Sequence, residues 1–361
     1  MANTILEDLY RHNRWANAHI VRLCDGLTDD QLDQPRELGF GTLRNTVFHI
    51  LAAEDVWLDR WTGVAPKPFP VDAQGLSVGE IGERLEQITL RRNAWLAEIG
   101  SEGLAKSCTY ANLKGNRFTE SLPDLMLHVA NHGIHHRAQA LNFLKTFGRT
   151  IRGGLDYLFF RFAYPQIKQE PEAAEAMKQF GLELETGSSP VVAWDADLVQ
   201  KYFRYGDWCN QQVFELAGSL VINTTNESVL DRDFSMGMGT LRKTMLHLFD
   251  PEQFWLRNWT TEELQFRNSP TTMTLTELQD RWLQVIEARD HFIASQDQES
   301  VSRVLRVSFG GPPFKVSMIE SMIQLCGHGT HHRAQLVNML RHSGAKAPAM
   351  DYVVWARQQS L

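Results

Sequence analysis

Cysteine is scarce in this chain, with four in 361 residues, and none of Cys24, Cys108, Cys209 or Cys326 stands in a Cys-x-x-Cys pair. Their spacing disfavours a cysteine-built zinc site. They also lack counterparts between the two halves of the chain, which argues against a disulfide framework. All four are expected to be reduced, structural thiols. Long apolar runs are missing too: none approaches the roughly 20 residues of a membrane-spanning helix. The opening Met1-Ala-Asn-Thr-Ile-Leu-Glu-Asp8 carries neither the basic nor the apolar region of a signal peptide. The expectation is no membrane partner and a cytoplasmic location. Positive charge is the third absence. The net charge is -7 and the pI about 6.0, with Lys and Arg scattered among acids, which disfavours a nucleic-acid partner held by phosphate neutralisation.

What the chain has instead is a duplication. The stretch His128-Val-Ala-Asn-His132-Gly-Ile-His135-His136-Arg137-Ala-Gln139 returns as Gln324-Leu-Cys-Gly-His328-Gly-Thr-His331-His332-Arg333-Ala-Gln335. Upstream, Gly41-Thr-Leu-Arg44 with His49 answers Gly239-Thr-Leu-Arg242 with His247. Arg11, Trp15 and Asn17 answer Arg204, Trp208 and Asn210, and Asp156-Tyr157 answers Asp351-Tyr352. The offset drifts by a few residues from motif to motif, as loop insertions would make it, so this is a duplicated domain and not a short-period solenoid. The expected organisation is a first domain over 1–167, a polar, turn-rich linker over 168–192 and a second domain over 193–361. Each domain is large enough to bury its own core.

Helical periodicity covers about Ile5 to Cys24, Thr42 to Thr62, Val78 to Ile99 and Leu122 to Phe147 in the first half. Start signals recur at equivalent places. Ser77-Val-Gly-Glu80 and Thr274-Leu-Thr-Glu277 read as capping boxes, Ser121 with Asp124 matches Ser317 with Glu320, and Asp195 is placed to cap the first helix of the second half. The segments from Cys108 to Thr119 and from Leu305 to Val316 read as extended chain around a turn, the latter at Gly310-Gly-Pro-Pro313. The fold class is therefore all-α: two tandem four-helix bundles, each with a small extended or hairpin insertion before its last long helix.

The chemistry lies in the histidines. His132 and His136, like His328 and His332, stand four apart, which puts both imidazoles on one helical face. Val129, Ala140 and Phe143 continue that stripe in the first half, and Leu325, Leu336 and Met339 in the second, so each pair points into its bundle. His49 and His247 supply a third vertex from the second helix. A lone buried histidine is more often a core residue bonded to a carboxylate or backbone group. A triad occurring twice in one chain favours a cation between the rings, because buried imidazoles need partners. Three neutral histidines suit a divalent transition ion and leave a position open for water or substrate.

These residues resemble the DinB-like metal-dependent four-helix bundles, also called the DinB/YfiT superfamily. The matching elements are Trp15-Ala16-Asn17, the second-helix His49, Glu54 and Trp57, and the fourth-helix His132, His136, Arg137 and Gln139. Both halves match, so the resemblance covers nearly everything but the linker. It implies metal ligands His49, His132 and His136 in one domain and His247, His328 and His332 in the other, holding zinc, nickel or another divalent ion. It also implies a small-molecule substrate and a low-molecular-weight thiol such as glutathione, mycothiol or bacillithiol, with thiol-dependent transfer or hydrolysis as the reaction. The alternative is a non-catalytic metal-binding or stress-sensing module.

The remaining candidates carry two readings each. Arg137 and Arg333 either bind an anionic substrate or, the preferred reading, form ion pairs on the helix surface. Asp156 and Asp351 either accept a hydrogen bond from a ligand imidazole or cap a helix. His128 faces Gln324 in the alignment of the halves and is not expected to be a ligand. His135 and His331 lie too far around the helix to share the ion, and are expected to touch a neighbouring helix or the other domain. Pro251, four residues after His247, is expected to break or displace the second helix, with Asp250 capping a new one, and so to weaken the second site. The two domains are expected to dock as an intramolecular pseudo-dimer, with further homodimerisation left open.

Overall fold

A computed structural model describes residues 4–64, 69–70, 72–73, 75–112, 115–151, 154–162, 191–309 and 314–359. The linker expected over 168–192, save its last two residues, and the turn at 310–313 lie outside them. The first half forms α1 (Ile5–Leu23), α2 (Asp29–Leu32), α3 (Leu43–Trp61), α4 (Val78–Leu104), the hairpin strands β1 (Ser107–Ala111) and β2 (Arg117–Ser121), α5 (Leu122–Thr146) and α6 (Tyr157–Phe162). The second half repeats the order. It runs α7 (Ala196–Thr224), a 3-10 turn at Glu227–Asp231, α8 (Leu241–Thr261), α9 (Leu275–Ala294), α10 (Gln298–Val301), β3 (Val304–Val307), β4 (Phe314–Ser317), α11 (Met318–His342) and α12 (Tyr352–Gln359). Among the described residues the only sheets are these two antiparallel hairpins, and no helix there is long and apolar enough to cross a membrane.

The start signals read from sequence are made as bonds. Ser77 with Glu80 and Thr274 with Glu277 close capping boxes, and Asp195 accepts from the Leu198 N–H. Ser121 and Ser317 each end a strand and cap the next helix, accepting from the Asp124 and Glu320 N–H groups. Each hairpin therefore fixes where its histidine helix begins. The end placed at Ile99 is matched by Gly100, whose φ of 57° interrupts the helical geometry before a last short turn. In the first bundle α3 packs chiefly on α5 and α4, and in the second α11 packs on α7 and α8.

The compact units do not follow the sequence repeats to their ends. One comprises Leu9–Thr150 with Ala349–Leu361, the other Met1–Asp8 with Ile151–Pro348. Each repeat's C-terminal segment is thus built into the unit that holds the other repeat's histidine helix. In one unit the buried Arg161 donates to Glu320 at 2.6 Å and to Asp8 at 3.1 Å, and α6 lies on α11. In the other, α12 lies on α5, with Arg357 donating to Glu120 at 2.6 Å and the Tyr352 hydroxyl to Asp124 at 2.8 Å.

Pro251 does not break its helix. The 21-residue α8 runs through it, and Asp250, instead of capping a new helix, accepts from the Ser269 N–H at 3.1 Å and hydroxyl at 2.6 Å. Proline lacks the N–H that would bond the carbonyl four residues back, which is that of His247. That carbonyl lies 3.4 Å from His328 Nε2, too long a contact to stand in for the missing bond. Pro251→Ala restores the helical donor and is expected to raise stability to urea by about 1 to 3 kcal/mol; a variant less stable than the parent would show that the helix is adapted to the proline.

Candidate metal centre

In the first-bundle unit, α3 carries His49 and α5 carries His132 and His136. His132 Nε2 lies 3.0 Å from His49 Nε2 and 3.1 Å from His136 Nε2. Ligand nitrogens about 2.0–2.1 Å from a tetrahedral ion are separated by about 3.3 Å, so the three ring edges already stand near ligand spacing. Burial holds the rings neutral: His49 is lowered from 6.5 to about 4, mainly by desolvation and then by His135. His132 and His136 fall well below 6.5, again through desolvation first and the neighbouring imidazoles second. The donor set, neutral nitrogens converging from two helices, fits a borderline-soft divalent ion.

The surroundings orient the rings. Gln139 Oε1 can only accept, so its 2.8 Å bond to His136 Nδ1 puts the ring hydrogen there and leaves Nε2 bare toward the triad. The Gln139 amide nitrogen in turn lies 3.0 Å from His135 Nε2. The same chain recurs in the second-bundle unit, where His332 Nδ1 is 2.7 Å from Gln335 Oε1 and Gln335 Nε2 is 3.2 Å from His331 Nε2. His135 and His331 therefore hold the glutamine of their own helix, and each also lies within electrostatic reach of an aspartate from the other repeat, His135 of Asp351 and His331 of Asp156. Gly39, at φ 53°, brings its loop against this glutamine: a Cβ there would sit 2.6 Å from Thr46 Oγ1 and 3.1 Å from Gln139 Oε1. The next residue, Phe40, stacks on His49 with ring centroids 3.6 Å apart while remaining 41% exposed.

The second triad is built alike but held differently. The donor atoms of His247, His328 and His332 lie within 4.8 Å of one another, as do those of the first triad. His247 is lowered from 6.5 to about 4, by burial first and His328 next. His328 Nδ1 lies 3.1 Å from the carboxylate of Asp156. Of the two acidic candidates, Asp156 thus takes the acceptor role, at the triad of the other repeat. Asp351 is exposed and has His135 as its charged neighbour. His128 is buried 5.8 Å, ring to ring, from His132, outside the group of three.

The arginines correct the sequence reading. Arg137 is 2% exposed and donates to Asn17 at 3.0 Å and Asn13 at 2.7 Å; Arg333 is 7% exposed and donates to Asn210 and Thr330, both at 3.3 Å. Neither lies on the helix surface where the expected ion pair would form, because both point inward across the bundle. Asn17 also donates to Glu54 at 3.1 Å, and Glu54 accepts from the buried Arg92 at 2.9 Å. One polar chain therefore ties α1, α3, α4 and α5 beneath the triad. In the second bundle, Arg289 binds Glu252 at 3.0 Å and Asp207 at 3.1 Å. Sequence reasoning missed Arg92 and Arg289, although both recur at nearly the offset of Glu54 and Glu252.

The fold and these sites define a tandem four-helix-bundle protein with two candidate three-histidine metal centres. The family model described as "DinB family" matches residues 1–172 and 195–360, and the chain belongs to that family. Among curated proteins it is similar to "Protein DinB" of Bacillus subtilis (strain 168), 20% identical over 166 residues, which is 44% of this chain and 92% of that protein. No solved structure matches the chain.

Two outcomes follow from the buried charges. Glu54→Ala leaves Arg92 without its carboxylate and is expected to cost about 3 to 5 kcal/mol in urea unfolding; a loss below about 1 kcal/mol would show that the pair is screened. His49 and His247 stay neutral in the folded chain down to about pH 4 but take up protons near 6.5 when unfolded. Metal-free protein should therefore lose stability progressively as pH falls from about 6.5 toward 4. A urea midpoint unchanged between pH 7 and 5 would contradict neutral, buried rings.

Proposed function

We propose that the protein binds divalent metal through its two histidine triads, with zinc or nickel as the ions the donor set favours. The observation that carries this reading is the convergence of three imidazole nitrogens at each centre, with the rings of the first held neutral by burial. Three protein ligands leave a coordination position open, and a bound ion there would acidify a coordinated thiol or water. The reaction we favour is thiol-dependent transfer or hydrolysis on a small molecule. The chain's own residues supply orientation and shelter: Gln139 and Gln335 fix the ring tautomers of His136 and His332, and Phe40 covers His49. Its cysteines are poor candidates for the thiol. Cys24, Cys209 and Cys326 are buried, and burial pushes the Cys24 thiol up to about 12 and that of Cys326 well above its usual value. Cys108 is half-buried and is raised as well, by burial first, so a thiol supplied from solution as a low-molecular-weight cofactor is the source we favour.

Elemental analysis after chelation and reconstitution tests the metal reading. Two ions per chain are expected, one remaining in His136→Ala and two in His128→Gln, since Gln324 already stands at that place in the other repeat. Protein that refuses both zinc and nickel would overturn it. For the reaction, a screen with low-molecular-weight thiols should show turnover lost on chelation; metal-loaded protein inert toward every thiol would favour the non-catalytic module.

A further inference from the structure

The two triads share their ligands but not their support, and the difference lies in one carboxylate. Asp156 Oδ2 is 3.1 Å from His328 Nδ1 and 2.8 Å from the Gln324 amide nitrogen. Gln324 Oε1 accepts from the Leu158 N–H at 2.9 Å, so one side chain clamps the carboxylate and the backbone just after it. Three residues further on, buried Arg161 ties the same segment to Glu320 and Asp8. The first triad has no such arrangement among the described residues. The place of Gln324 is taken by His128, whose Nδ1 is buried without a hydrogen-bond partner, and Asp351, the counterpart of Asp156, is exposed.

We propose that Asp156, a residue of the first repeat, is the positioning residue for His328 and makes the centre of His247, His328 and His332 the tighter of the two metal sites. A carboxylate on the remote ring nitrogen fixes the hydrogen at Nδ1, leaves Nε2 to face the ion and raises its basicity as a ligand. The 3.4 Å contact of Nε2 with the His247 carbonyl is long for a hydrogen bond and is readily given up. The sequence points the other way, toward a weaker second site, because Pro251 is expected to break or displace the helix that carries His247; the helix is continuous through it.

This inference rests on the metal-binding reading, and competition titration of the full chain with zinc separates the two. The parent should show two classes of site, the tighter lost in His332→Ala and the weaker in His136→Ala. Asp156→Asn, nearly isosteric, should weaken only the tighter class, by about tenfold to a hundredfold, while Asp351→Asn changes neither. The site of His49, His132 and His136 serves as an internal control for folding. Nitrogen-15 spectra of the metal-free chain should show the His328 ring changing its tautomer balance in Asp156→Asn while His332 does not, a response that a merely structural role would not give. Should Asp156→Asn fail to fold, Gln324→Met, which releases one arm of the clamp, is expected to weaken the same site alone. Equal weakening of both sites, no weakening of either, or loss of the tighter class in His136→Ala would overturn the proposal. Absence of zinc binding in the parent chain would overturn the metal reading and this inference with it.

Discussion

Crowding three imidazoles at one point inside a helical bundle is the constraint on which the rest of this structure depends. Neutral rings whose nitrogens approach to about 3 Å, as His49, His132 and His136 do, cannot all donate to one another. Each also needs its other nitrogen satisfied. The glutamine that follows each last ligand by three residues meets that need for His136 and His332, and the histidine beside the ligand fixes the glutamine. The glycine at 39 or 237 lets a loop close over that glutamine.

Holding the helices in register is a second task, done by charge as well as by apolar packing. A buried ion pair is weak evidence for added stability, but it is directional, and removing one partner is severe. Glu54, accepting from Asn17 and Arg92, admits one arrangement of α1, α3 and α4, while Arg137 binds α5 to the same asparagine. The exchanged segments follow the same pattern: Arg161 and Arg357 each join a C-terminal segment to a carboxylate at the start of the other repeat's histidine helix or in the strand before it. Neither compact unit is therefore made from one repeat alone.

Much of this was legible in the sequence because it is local or repeated. Helix limits followed from caps such as Ser77 and Thr274, whose partners lie three residues away, and the triads followed from four-residue spacing plus a duplicated upstream histidine. Contacts distant along the chain were not legible. For Arg137 the sequence favours a helix-surface ion pair over anion binding, and only the position of Asn13 and Asn17 across the bundle shows why it is buried. For Asp156 the sequence leaves acceptor and cap both open, and which histidine it meets depends on which unit α6 joins, which no periodicity encodes. A break at Pro251 is the outcome the local rule allows and the structure does not take, because tertiary packing keeps the helix whole.

The central claim is that each triad is a metal centre of three imidazoles, and X-ray absorption on the zinc-loaded full-length chain tests it most directly. The account predicts a first shell with nitrogen ligands at about 2.0–2.1 Å, imidazole outer-shell scattering equivalent to three rings, and one further light-atom ligand. A shell containing protein sulfur at about 2.3 Å, or one of oxygen alone without imidazole scattering, would contradict it.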